Sequence, residues 1–274
     1  MGFPGGKMAG GGLGLIVTIV LSLLFGGNVM GGGGSGGGFG VDPGLDPFDG
    51  TSQQQPGNGL DGAPRADDQT AEFVTFVVED VQRLWQEKFR AAGKEYGVTT
   101  LVLFEEGVQT GCGAASSATG PFYCPPDRKV YLDLGFFRDL STRFGAPGDF
   151  AQAYVVAHEF GHHVQNLLGT NEQVRRAQQK NPDDANELSV RLELQADCFA
   201  GVWGNSAYED ELLEEGDLEE GLDAAAGVGD DRIQKQSGQR VDRESFTHGS
   251  SAQRMEWFRK GYERGDPSSC DTFS

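Results

Sequence analysis

Residues 157–165 read Ala-His-Glu-Phe-Gly-His-His-Val-Gln, and within that stretch His158, Glu159 and His162 form an H-E-x-x-H pattern. On a helix, residues four apart share a face, so two imidazoles can grip one cation while Glu159 projects beside them and holds a water. The stretch therefore predicts a helix carrying part of a metal site together with a base. Its ends are marked in the sequence: Asp149, with Gln152 three residues on, reads as a capping box, and Gly169 reads as the stop. Phe150, Tyr154, Val155, His158, His162 and Leu168 fall on one broad face, on which Gln165 is the polar exception. That pattern puts the imidazoles on the core side of the helix.

A catalytic zinc takes three protein ligands and keeps a fourth position open for water. His158 and His162 are two, so the third comes from elsewhere in the chain. A second helix is predicted from Asn181, with Pro182 at its first position, to about Trp203. On it Glu193 and Asp197 lie four apart. Glu193 is the best-placed third ligand, and Asp197 is then able to reach the free ring nitrogen of His158 and fix its tautomer. His248, in Phe246-Thr247-His248-Gly249-Ser250-Ser251, is the alternative: a remote third ligand, or a donor to the oxyanion of a tetrahedral intermediate. Arg254, Tyr208 and Tyr262 follow it for that contact. His163 lies about 100° around the helix from His162 and is not expected on the same ion. With zinc in place a water would ionise near pH 7, Glu159 would take its proton, and the proton would pass to a departing amine. The expected reaction is peptide hydrolysis without a covalent intermediate.

The rest of the chain sets the context. Its 41 acidic against 22 basic side chains, a net charge of −19, argue against nucleic acid or an anionic membrane surface as partner. Leu13–Phe25 is an uncharged apolar run preceded by Lys7, and with its flanks it reaches the length of a bilayer span. Residues 1–30 read as a transmembrane signal anchor in preference to a cleaved signal peptide. Lys7 places the N-terminus in the cytoplasm and the remainder outside. Residues 31–68 read as a Gly/Pro-rich tether, and residues 69–274 as one folded domain. Cys112 and Cys124 bracket a short loop that reads as disulfide-closed, and Cys198 and Cys270 pair by elimination, as suits an exported chain.

Within the domain, helical periodicity runs from Asp68 to a stop at Gly93, and Val98–Phe104 and Lys129–Asp133 read as strands. If the second were a sheet edge, it would offer a place for substrate to add as a strand. Gly135–Phe144 reads as a short helix and Ala252–Tyr262 as a last one. Glu209–Asp231 holds 11 carboxylates and no Lys or Arg, and reads as a solvated surface segment. The expected fold class is α+β, mainly helical with a small sheet.

Five separated segments, HEFGHH at 158–163, LELQADCFAG at 192–201, GPFYCPPDRKVYLD at 120–133, GDDRIQKQ at 229–236 and FTHGSSAQRMEWFRKG at 246–261, resemble the bacterial neutral zinc metallopeptidase family. The resemblance covers about residues 70–265. It implies a zincin-like domain of the gluzincin type with one catalytic Zn2+: His158, His162 and Glu193 as ligands, Glu159 as base and Asp197 behind the first histidine. It implies a peptide or protein substrate without naming one. A catalytically silent metal-stabilised scaffold and a zinc amidase acting on cell-wall peptides are the other readings, and the oligomeric state is not legible.

Overall fold

The computed structural model describes residues 66–274. The expected membrane anchor, and the tether up to residue 65, lie outside the described residues. Among the described residues no helix is long and apolar enough to cross a membrane.

Helix α1 (Ala66–Ala91) turns Val74, Val77, Val81, Leu84, Trp85 and Phe89 inward, as the three-and-four spacing of its apolar residues dictates. A small sheet follows. Strand β1 (Thr100–Phe104) leads into a hairpin of β2 (Gly107–Thr110) and β3 (Gly113–Ser116), and then come β4 (Phe122–Cys124) and β5 (Lys129–Asp133). The three-stranded order is β1-β5-β4: β1 runs parallel to β5 with Val102 opposite Tyr131, and β4 runs antiparallel to it with Tyr123 opposite Val130. Strand β5 is thus the inner strand, bonded on both sides, and the expectation that it forms an edge is overturned. The outer strands are β1 and β4.

After α2 (Gly135–Thr142) the H-E-x-x-H stretch lies on α3 (Asp149–Leu168), ended by Gly169 in the left-handed region at φ 80°. The start of α3 differs from expectation. Gly148 is the capping residue, and Asp149 makes no capping bond. The main-chain N–H of Phe150 donates instead to Glu220 Oε2 at 3.3 Å, so a carboxylate from a later helix takes over the cap. Leu168, expected on the core face, is 38% exposed.

Helix α4 (Thr170–Lys180) was not legible in the sequence, because it is polar nearly throughout and buries only Val174. Helix α5 (Ala185–Glu209) begins after a 3-10 turn at Pro182–Asp184 and runs six residues beyond Trp203. The acidic segment is more than a solvated surface. It forms α6 (Asp217–Gly227), whose Gly221, Leu222, Ala224 and Ala225 are buried, and Gly221 passes so close to the Phe150 and Phe258 rings that a Cβ would lie 2.9 Å from each. Helices α7 (Asp230–Gln236) and α8 (Ser251–Arg264) complete the chain, and Ser250 and Gln253 form a capping box on α8.

The core lies between α3 and its helical neighbours. Trp85 meets Phe199 edge-on at 5.2 Å, and Phe150 stacks on Trp203 at 5.7 Å. Fully buried Phe160 and Phe258 each contribute about 1.5–3 kcal/mol from loss of water contact. Both expected disulfides are present, Cys112–Cys124 from the turn between β2 and β3 to β4, and Cys198–Cys270 from α5 to the C-terminal turn.

Candidate metal centre

Gly161, between His158 and His162, sets the approach of α3 to α5. A Cβ there would lie 2.9 Å from the Ala196 carbonyl oxygen and 3.1 Å from its Cα, so only hydrogen allows the two backbones so near. Ala196 in turn lies between Glu193 and Asp197. The crossing therefore sets the two carboxylates of α5 against the two imidazoles of α3.

At the crossing, Glu193 Oε2 is 3.2 Å from His158 Nε2 and Glu193 Oε1 is 3.5 Å from His162 Nε2. His158, His162 and Glu193 are the group whose donor atoms all lie within 4.8 Å of one another at this place. His248 is outside that group, which leaves the alternative of a third imidazole ligand without geometric support among the described residues.

The other ring nitrogens are occupied. His158 Nδ1–H donates to Asp197 Oδ1 at 2.8 Å, and His162 Nδ1–H donates to Gln165 Oε1 at 2.9 Å. The amide of Gln165 is oriented by its own Nε2–H, which donates to the Leu192 carbonyl at 2.6 Å. Because both Nδ1 atoms face acceptors, each Nε2 of a neutral ring is left as a lone pair, and both Nε2 atoms point at a carboxylate. Three acceptor groups converging in a buried place require a positive charge between them. With both imidazoles neutral, as metal ligands must be, Glu159, Glu193 and Asp197 are opposed by Arg254, leaving two negative charges for a dication to balance. The donor set of two imidazoles and one carboxylate fits zinc.

Asp197 is completely buried and fully engaged. It accepts from Arg254 Nε at 2.8 Å and Nη2 at 2.8 Å, and from Tyr154 Oη at 2.5 Å, as well as from His158. Burial would raise its carboxyl, but Arg254 and His158 hold it below the usual range. Burial would likewise lower His158, yet Asp197 and Glu193 raise the imidazole to about 9. That proton and a metal ion compete for one lone pair. Glu159 is 7% exposed, and burial raises its carboxyl against the pull of the two histidines and of a hydrogen bond from the Tyr123 main-chain N–H.

These groups open onto a cleft of about 260 Å³ whose walls include Phe122, Phe136, Phe144, Val155, Val228 and Ile233. His248 lines the same cleft, and its Nδ1 lies 2.9 Å from Thr247 Oγ1 and 3.3 Å from Asp230 Oδ1. Asp230 Oδ2 also accepts from the main-chain N–H groups of Thr247, His248 and Gly249, so this buried carboxylate builds the loop that carries the histidine. Of the remaining oxyanion candidates, Arg254 is committed to Asp197, while Tyr208, 63% exposed, packs against Tyr262 away from the cleft. His163 is buried elsewhere, donating from Nε2 to the Gly97 carbonyl and accepting from the Tyr123 hydroxyl at Nδ1.

Tyr154, Gln165, Asp230 and the pairing of Arg254 with Asp197 were not read from the sequence. Only Gln165 carried a signal, as a polar residue on an apolar face. The others are joined across 17 to 100 residues, and neither spacing nor periodicity reports such pairs.

No solved structure matches the chain. The uncharacterized protein YpfJ of Escherichia coli K12 is 46% identical over 275 residues, covering all of this chain and 91% of that protein. The uncharacterized proteins Rv2575 of Mycobacterium tuberculosis H37Rv and Mb2605 of Mycobacterium bovis are each 53% identical over 183 residues, which is 63% of this chain and 61% of theirs. Residues 1–273 match the family described as "Putative neutral zinc metallopeptidase". The chain belongs to that neutral zinc metallopeptidase family.

Proposed function

We propose that this protein is a zinc-dependent endopeptidase with a zincin-like domain of the gluzincin type. His158, His162 and Glu193 would hold the metal. The observation that carries the reading is that two Nε2 lone pairs and the Glu193 carboxylate face one another, with Glu159 beside them, in a cleft large enough for a peptide side chain. Zinc, when bound, supplies Lewis acidity and brings a water to ionise near pH 7.

The chain's own groups do the rest. Glu159, its carboxyl raised by burial, takes a proton from the attacking water and delivers it to the leaving amine. Asp197 holds the His158 ring in one tautomer, and Arg254 and Tyr154 hold Asp197. His248, with Nδ1 turned to Asp230 and Thr247, keeps Nε2 for a hydrogen bond to the developing oxyanion. The apolar walls exclude water and favour peptide or protein substrates over highly charged ones.

The same proposal includes a single-pass anchor at residues 1–30, a tether at 31–68 and a catalytic domain from 69 on the extracytoplasmic side. It is supported by the uncharged run 13–25 behind Lys7, and by the two disulfides, which suit an oxidising compartment. The test is metal analysis of the full-length protein with digestion of an unbiased peptide mixture. Glu159→Gln should keep zinc and lose roughly 10²–10⁴-fold in rate. Equal silence from both proteins, with zinc retained, would favour the scaffold reading, and cleavage confined to cell-wall peptides would favour the amidase.

A further inference from the structure

Gln165 is 0% exposed, yet it lies on the core face of α3 and contacts three polar groups. Its Oε1 accepts from His162 Nδ1 at 2.9 Å, and its Nε2 donates to the Leu192 carbonyl at 2.6 Å and to Gln195 Oε1 at 3.2 Å. Gln195 continues the line, donating from Nε2 to the Cys270 carbonyl at 3.0 Å, and Cys270 is tied back to α5 by its disulfide with Cys198. Each amide in this line is oriented by a main-chain carbonyl, which accepts only, so neither can rotate end for end without setting acceptor against acceptor. Leu192 immediately precedes Glu193. The amide of Gln165 therefore touches one proposed ligand directly and the backbone beside another.

From this geometry we infer that Gln165 is a positioning residue for the metal centre: it fixes the Nδ1–H tautomer of His162 and locks α3 to α5 next to Glu193. The inference rests on the metal reading above. A buried side chain aimed at a ligand's second nitrogen orients the ring and raises its basicity as a donor. The choice of an amide also has an electrostatic reason. A glutamate here, beside Glu159, Glu193 and Asp197 and the single guanidinium of Arg254, fills the same role only while it holds its proton, whereas the amide supplies an acceptor and a donor with no charge at any pH.

The test compares Zn2+ affinity of full-length wild type, Gln165→Met and Gln165→Glu by competition with a chromophoric chelator, alongside the visible spectrum of the Co2+-loaded proteins. Gln165→Met keeps the volume and removes the acceptor, and should weaken Zn2+ binding roughly 10–100-fold and shift the Co2+ spectrum. Gln165→Glu, neutral in so buried a place, offers an oxygen to His162 and a hydroxyl to Leu192, and should recover most of the affinity. Affinity of Gln165→Met within about twofold of wild type, or equal loss in both variants, would overturn the inference. Should Gln165→Met not fold, Gln195→Met removes the far anchor and is scored by the same two readouts. His162→Ala separates the two failures: if it too keeps full Zn2+ affinity, the metal reading itself falls, and if it loses Zn2+ while Gln165→Met does not, only the role of Gln165 falls.

Discussion

His158 and His162 stand one turn apart on the same helix, face the same carboxylate, and are supported in opposite ways. Behind His158 lies a charged assembly, with Asp197 gripped by Arg254 and Tyr154, all of it buried. Behind His162 lies a neutral line of two amides ending on a main-chain carbonyl. An isolated buried carboxylate is costly, and Asp197 is tolerable only because a guanidinium from α8 neutralises it. The neutral line needs no such partner. The two supports leave the rings nearly perpendicular, at 87°, with both Nε2 atoms on Glu193. The charged support couples a proposed ligand to the folding of the last long helix, and the amide one does not.

The comparison is broken most severely at its shared centre. Glu193→Ala, which removes the group both rings face, should lose Zn2+ affinity by more than the roughly 10–100-fold typical of supporting residues, read by chelator competition. On the charged side, Asp197→Leu leaves Arg254 buried without its partner, and should cost about 3–5 kcal/mol of stability in the zinc-free protein by denaturant unfolding. The double change Asp197→Leu with Arg254→Met should recover much of that loss while leaving Zn2+ affinity low, which separates support of the fold from support of the ligand. At the crossing beneath both rings, Gly161→Ala forces a Cβ to within 2.9 Å of the Ala196 carbonyl, and should cost about 1–3 kcal/mol with a matching fall in Zn2+ affinity.

An effect of similar size concerns Asp230, whose carboxylate builds the His248 loop. Asp230→Asn should cost about 1–3 kcal/mol at neutral pH. Burial would raise this carboxyl, but His248 and the loop amides hold it below the usual range. A depressed folded value means the stabilisation is complete above the unfolded value near pH 4 and is lost as pH falls through the folded value. The gap between wild type and variant in denaturation midpoints should therefore narrow as pH falls below about 4.

What could be read from the chain follows the same division. The turns of α3 and α5 that carry His158, Glu159, His162, Glu193 and Asp197 obey a spacing of four, and spacing is what a sequence displays. The strand at Lys129–Asp133 was legible by its β-branched and apolar residues, but its inner position was not, because the order of strands depends on which partners arrive from elsewhere. Helix α6 was hidden by its charges: Gly221, Ala224 and Ala225 bury a face with almost no side chain, so no apolar stripe announces it. Asp149 looked like a cap, but Glu220, 70 residues after Phe150, takes the bond. Arg254 read as a runner-up for oxyanion contact, because nothing local says that a buried aspartate 57 residues earlier has already claimed it.

The disulfide between Cys198 and Cys270 gives the centre an order of birth. A chain emerging from the ribosome carries the H-E-x-x-H turn and Glu193 long before it carries the guanidinium that balances Asp197, or the carbonyl on which the amide line ends. Until residue 254 has emerged, the first imidazole leans on an uncompensated charge, and until residue 270 has emerged the second leans on an unanchored amide. The Cys198–Cys270 bond then ties that last carbonyl to α5, so both supports of the centre close from residues that follow α5 in the chain.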